Sequence, residues 1–221
     1  MLHKEAIMKR EKYILNIMTV TLLAFILAAC SSTSGKVPVT PDASVVWSDD
    51  FEDGDADGWT SFWVGGEHPV KNGELTFAEG GGDVAHPSDV LYGTWSFDIY
   101  ISEPAEISHE VRFTEGVYNY QLLEIRHAPN TQVWVSTQQD PNEPRTDSVD
   151  LGEQLSGWHH FDITKDQSGL IQVYLDGEWI LDHEDDLPFE VREMTFYTCC
   201  EGPTLDNVVV RDQVIEVQLA E

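Results

Sequence analysis

Leu170-Ile171-Gln172-Val173-Tyr174-Leu175-Asp176-Gly177-Glu178-Trp179-Ile180-Leu181-Asp182-His183 is the stretch that decides the fold. Ile171, Val173 and Leu175 alternate with Gln172 and Tyr174, the period of two that lays one side of a strand on a core. Asp176-Gly177 supplies the positive φ angles of a tight two-residue turn. The segment therefore predicts two antiparallel strands, Leu170–Leu175 and Glu178–His183, joined as a hairpin. Lys71-Asn72-Gly73-Glu74 predicts a second turn of the same kind.

Working outward, short alternating segments recur between Gly, Pro, Asn and Asp. Upstream of the hairpin they are Val45–Phe51, Phe62–Val64, Glu74–Phe77, Gly93–Ile101, Ser108–Phe113, Tyr118–His127, Thr131–Thr137 and Trp158–Thr164. Downstream they are Glu190–Tyr197 and Leu205–Arg211. No sustained apolar period of 3.6 follows the first thirty residues. So many short strands without a helix predict an all-β, antiparallel sandwich.

The N-terminus reads differently. A basic start (Lys4, Lys9, Arg10, Lys12) precedes an apolar stretch from Tyr13 to Ala29, the pattern of a secretory signal. Leu27-Ala28-Ala29-Cys30 resembles the lipobox of bacterial lipoproteins. That resemblance implies cleavage before Cys30 and lipid on Cys30. The apolar core is shorter than the ~20 residues a membrane span needs. The expected organisation is a lipoprotein signal peptide (1–29), lipidated Cys30 and a flexible tether (30–43), a jelly-roll domain (44–212) and a tail or edge strand (213–221). The expected location is extracytoplasmic, lipid-anchored at the outer membrane or cell surface.

Charge narrows the partners. The 221 residues carry a formal net charge of −28. Four of the 12 basic and two of the 40 acidic residues lie in the leader, so the rest holds 8 basic against 38 acidic. Phosphate binding needs a positive surface, so nucleic acid is excluded as a partner. Anionic headgroups are poor partners too, which leaves the lipid as the membrane anchor. The domain is expected to be a monomer. Cys199 and Cys200 are adjacent; they admit two thiols, an intermolecular bridge or a strained vicinal disulfide that could lie flat under a sugar.

Three segments together resemble a concanavalin A-like lectin/glucanase jelly roll, near its laminin G-like members. The first runs from Asp49-Asp50-Phe51-Glu52-Asp53-Gly54 through Gly58-Trp59 and Trp63 to Asn72-Gly73-Glu74-Leu75. The second is Gly157-Trp158-His159-His160-Phe161-Asp162-Ile163-Thr164 followed by Ile171–Glu178. The third is Leu205-Asp206-Asn207-Val208-Val209-Val210. The first and third also resemble the domain of 3-keto-disaccharide hydrolases. Laminarinase-type members carry a Glu-x-Asp-x-Glu strand, which this chain lacks. Alginate-lyase-type members carry Arg-x-Glu-x-Arg, of which Glu124-Ile125-Arg126 is a fragment. The resemblance implies the fold and a carbohydrate ligand, with binding favoured over catalysis.

Asp53-Gly54-Asp55-Ala56-Asp57-Gly58 matches the first half of a calcium loop, but Val64 stands where a full loop needs a bidentate Glu. Related sandwiches join first and last strands through calcium. The resemblance thus implies structural calcium with Asp50, Glu52, Asp53, Asp55, Asp57 and Asp206 as candidate ligands.

Parity points to a binding face. With Trp95, Phe97, Ile99 and Ile101 inward, Asp98 and Tyr100 face outward. The same rule turns Glu110, Arg112, Tyr120, Glu124, Arg126, Gln132 and Trp134 outward, and His109 inward. If these strands are neighbours, one face presents all nine outward residues. Aromatics stack on pyranose rings, while Arg, Glu and Gln bond hydroxyls in both senses. The expected partner is a poly- or oligosaccharide. Without a ligand, the same face would be laced by cross-strand pairs, Glu110–Arg126 or Arg112–Glu124. Glu110 and Glu124 are the candidates for a catalytic acid/base pair in the alternative, glycoside-cleaving reading.

Overall fold

Alternation is realised as two antiparallel sheets packed face to face. The computed structural model describes residues 44–61, 69–77, 82–101, 108–114, 120–126, 130–138, 145–185, 191–198 and 204–215. The leader and tether, the Phe62–Val64 segment, His127, Cys199-Cys200 and the last six residues lie outside the described residues, as does the Tyr120 side chain.

The first five strands are β1 (Val45–Asp49), β2 (Val70–Lys71), β3 (Glu74–Thr76), β4 (Gly82–Val90) and β5 (Gly93–Ile101). Then come β6 (Ser108–Thr114), β7 (Tyr120–Arg126), β8 (Gln132–Gln138), β9 (Arg145–Asp150) and β10 (Gly157–Lys165). The last are β11 (Leu170–Leu175), β12 (Glu178–Glu184), β13 (Val191–Thr198) and β14 (Thr204–Arg211). An eight-stranded sheet runs β12-β11-β10-β5-β14-β3-β2, with β1 also on β14. A six-stranded sheet runs β4-β13-β6-β7-β8-β9. This is the jelly-roll sandwich of concanavalin A-like domains.

Inward residues interlock across the sheets. Phe97 of β5 stacks on Phe161 of β10, ring centroids 5.6 Å apart, and meets Phe196 of the facing sheet edge-on at 5.0 Å. Trp95 reaches Phe113 of the facing sheet at 5.2 Å, while its indole N–H donates to Ser88. Val111, Leu123, Ile125, Val133, Val135 and Met194 close the layer. Each such side chain gains roughly 1.5–3 kcal/mol on full burial. At one edge His183 of β12 crosses the gap. Its Nε2 lies 3.0 Å from Thr137 of β8, and its Nδ1 lies 2.8 Å from Asp147 of β9.

Both predicted turns form. Asn72 and Gly73 have φ of 58° and 78°, and Asp176 and Gly177 have 51° and 83°, the conformation Asn-Gly and Asp-Gly favour. Of the tail, residues 213 and 215 are tied down by Thr94, whose hydroxyl donates to the Gln213 carbonyl and accepts from the Ile215 N–H.

Three strands escaped the sequence reading. β2 is two residues long. β4 contains Pro87, and β9 reads Arg-Thr-Asp-Ser-Val-Asp. β4 and β9 are the edges of the six-stranded sheet, where a missing N–H and polar side chains are tolerated.

Phe97→Ala removes the ring that joins both layers and should destabilise the domain by about 3–5 kcal/mol. Urea unfolding followed by tryptophan fluorescence measures this, and Phe97→Leu should lose much less.

Candidate functional site

The six-stranded sheet positions most of the outward residues read from parity. Its pairing register aligns Asp83, Tyr197, Glu110, Glu124, Trp134 and Ser148 in one row across β4, β13, β6, β7, β8 and β9. Arg126 and Gln132 are paired in the row on one side, and Arg112 lies in the row on the other. His109 is buried, as parity requires.

The charges pair differently from the cross-strand expectation. Arg112 binds Glu110 two residues back on its own strand, its Nε donating to Oε2 at 2.8 Å and Nη2 to the same oxygen. Arg126 Nη2 donates to Glu124 Oε2 at 2.6 Å, again within the strand. The register places Glu110 directly opposite Glu124, so each carboxylate turns along its own strand, where a cation waits. The guanidinium of Arg112 lies over the Tyr197 ring at 4.9 Å, and that of Arg126 over Trp134 at 4.2 Å. Trp134 Nε1 donates to Gln132 Oε1 at 3.3 Å. Trp134 therefore faces outward but is half-buried, one ring face covered by Arg126.

The outcome is a layered surface. The Arg112 and Arg126 side chains are 42% and 47% exposed, while the partnering Glu110 and Glu124 are 16% and 13% exposed. The Glu124 hydrogen bond pushes the Arg126 pKa further above its already high value. Such a face offers fixed donors above and acceptors below, suited to a ligand rich in hydroxyls. Register sets the two Cβ atoms about 4.5–5.5 Å apart, but the spacing that defines a glycosidase pair is that between the carboxyl groups, and each of these turns along its own strand. A carboxylate bonded to a guanidinium is an acceptor, however, and not a proton donor. Tyr197 was not among the expected residues; inward Met194 and Phe196 already implied that it points out.

Asp98 and Tyr100 must be removed from this face. β5 pairs with β10 and β14 in the eight-stranded sheet, so both residues face outward on the opposite side of the sandwich. Parity sorted inward from outward correctly; it carries no information about which sheet a strand joins. Asp98 instead accepts from His160 Nδ1 at 2.5 Å and from the Asn207 side-chain amide at 2.8 Å. His160 Nε2 lies 3.3 Å from Asp162, which also accepts from Ser96 Oγ at 2.5 Å.

The expected calcium ligands are not gathered into one group. Asp50, Asp53 and Asp55 turn onto the backbone N–H groups of Glu52, Asp55 and Asp57. Glu52 packs against Gly73, and Asp206 accepts from Asn207. Among the described residues no three His, Cys, Asp or Glu side chains are placed to hold a metal.

No family model and no curated protein matches this sequence. Solved structures do resemble the fold. A laminarinase from Flavobacterium sp. UMI-01 has a TM-score of 0.61 at 13% identity, over 76% of this chain and 99% of that one. Porphyranase B from Zobellia galactanivorans has 0.57 at 14%, over 80% and 96%. The catalytic domain of an endo-1,3-β-glucanase from Thermotoga petrophila RKU-1 has 0.57 at 14%, over 76% and 97%. At such identities the likeness establishes the concanavalin A-like jelly roll and nothing finer.

The His160 pairs give a pH dependence. Hydrogen bonds to Asp162 and Asp98, outweighing desolvation, push the His160 pKa up to about 10 from 6.5. The folded value lies above the unfolded one, so its stabilisation is complete below about pH 6.5 and fades as pH rises through 10. Asp98 and Asp162 meet its ring, Asp176 accepts from its backbone N–H at 2.9 Å, and Arg211 reaches Ser96 close by. The stability gap between the unmodified protein and His160→Gln should shrink from pH 6.5 to 10 in denaturant titrations.

Proposed function

We propose that this protein is an extracytoplasmic lipoprotein whose jelly-roll domain binds carbohydrate on the outer face of its six-stranded sheet. The observation that carries the reading is the Tyr197–Glu110–Glu124–Trp134 row, with Arg112 and Arg126 resting on its two aromatic rings. Guanidiniums anchored by both a carboxylate and a ring hold their donors in place before a ligand arrives, which lowers the ordering cost of binding. The occurrence of this fold in a laminarinase and a porphyranase, named for polysaccharide substrates, supports a carbohydrate ligand. Neutral or mildly charged sugars suit a domain whose strong net negative charge disfavours polyanions.

The full chain in a detergent without sugar headgroups, applied to an immobilised glycan array, tests this. Trp134→Ala removes the ring under Arg126 and should weaken retention of the bound glycan by roughly tenfold, with the fold intact by circular dichroism. Equal retention by that variant would sink the reading. A glycoside-cleaving activity is the second reading, favoured by the opposition of two carboxylates, Glu110 and Glu124, on neighbouring strands. It predicts release of reducing ends that Glu124→Gln abolishes; binding without release decides for a lectin-like role.

The lipid reading rests on the Leu27-Ala28-Ala29-Cys30 motif. Cys30→Ser should abolish incorporation of labelled fatty acid and remove the lipid-dependent shift in intact mass. Unchanged labelling would reject Cys30 as the acylated residue.

A further inference from the structure

The outer face of the eight-stranded sheet carries features that have no part in the Trp134 face. Tyr100 of β5 and Trp158 of β10 are register partners, and their rings meet edge to face at 5.6 Å. Trp179 of β12 pairs with Tyr174 of β11, itself paired with Asp162 of β10, so it shares this face. Tyr100, Trp158 and Trp179 are 40%, 42% and 55% exposed, and they are the exposed Trp, Tyr and Phe side chains among the described residues. Exposed aromatic surface on one face marks an interaction site more often than scattered single residues do.

These rings are held in place. Trp179 Nε1 donates to Asp182 Oδ1 at 2.7 Å, and the same oxygen accepts from Gln172 Nε2 at 3.1 Å. The Tyr174 hydroxyl donates to Gln172 Oε1 at 3.3 Å. Between Trp158 and Trp179 lie His160 and Asp162 of β10 and Tyr174 of β11, while Asp98 and Ser96 flank them on β5, on the side away from Trp179. Strand rise and spacing set the two indoles about 16 Å apart along a diagonal of the sheet.

We propose that this face is a second carbohydrate-binding surface, taking a neutral glycan chain across Tyr100/Trp158 and Trp179. A neutral sugar chain is the occupant that fits both features. Its C–H faces cover aromatic rings, while its hydroxyls bond the part-exposed His160 and Asp98 side chains beside them. A polyanion would meet Asp98, Asp162, Asp182 and Asp206 on a chain of net charge −28. An apolar protein surface, including a second copy, would bury Asp182, whose hydrogen-bond partners Trp179 and Gln172 are neutral, which is costly. The site lies on the other side of the sandwich from the Trp134 face and does not depend on it, so one domain could hold two glycan segments at once.

The test uses the full chain in the same detergent on an array of β-1,3-glucan, β-1,4-glucan, mannan, galactan and polygalacturonate. At least one neutral glycan should be retained about tenfold less by both Trp158→Ala and Trp179→Ala, and unchanged by Trp134→Ala. Trp158→Phe and Trp179→Phe, which keep a ring, should recover much of that retention. On the unmutated chain, the same glycan should shield Trp158 and Trp179 from N-bromosuccinimide oxidation, read by peptide mass spectrometry. Loss of retention in Trp134→Ala alone overturns this proposal and leaves the six-stranded face standing. Loss in Trp158→Ala and Trp179→Ala alone does the reverse. No retained glycan at all removes both. Retention of polygalacturonate only, or a change in oligomer size on light scattering in place of glycan loss, also overturns it.

Discussion

Phe97 is the contact on which the two layers depend. It stacks on Phe161 within its own sheet and meets Phe196 of the other edge-on. A sandwich is stable only if each sheet buries one face, so every strand near this point must offer alternate residues inward. Slipping any of these strands by one residue would move its whole apolar set into water. The same constraint fixes the outward residues as firmly as the inward ones. Both candidate binding faces are therefore by-products of core register, held rigid by a core they do not touch.

The two outer faces solve the problem of surface charge in opposite ways. On the six-stranded sheet, arginines sit over aromatic rings and pair with less exposed carboxylates. On the eight-stranded sheet the carboxylates are shared with His160, Asn207 and Ser96, and the aromatic rings are left open. The first face presents cations; the second presents rings set among acceptors. A ligand would have to meet different chemistry on each.

The strands that face the core on one side were legible because Ile171, Val173 and Leu175, or Trp95, Phe97, Ile99 and Ile101, alternate without interruption. Asn72-Gly73 and Asp176-Gly177 were legible because few other dipeptides accept two successive positive φ angles. β4 and β9 were not, since an edge strand needs little apolar alternation and tolerates Pro87. Of the candidate site, Glu110, Arg112, Glu124, Arg126, Gln132 and Trp134 were found by parity alone. Parity turns Asp98 and Tyr100 outward as well, and only the sheet order separates them from this face. β5 in fact leaves its sequence neighbour β6 for β10 and β14.

What the sequence determined by itself is local: the strand period, the turns, and which side of each strand is buried. These follow from backbone geometry and from the cost of exposing apolar side chains, and both act within a few residues. Only the tertiary structure decided which strands share a sheet. That in turn set Glu110 against Glu124, laid Arg126 over Trp134, placed His160 between Asp98 and Asp162, and gathered Tyr100, Trp158 and Trp179 on one side. Those contacts join residues from separate strands, and pairing between strands depends on the whole packed core.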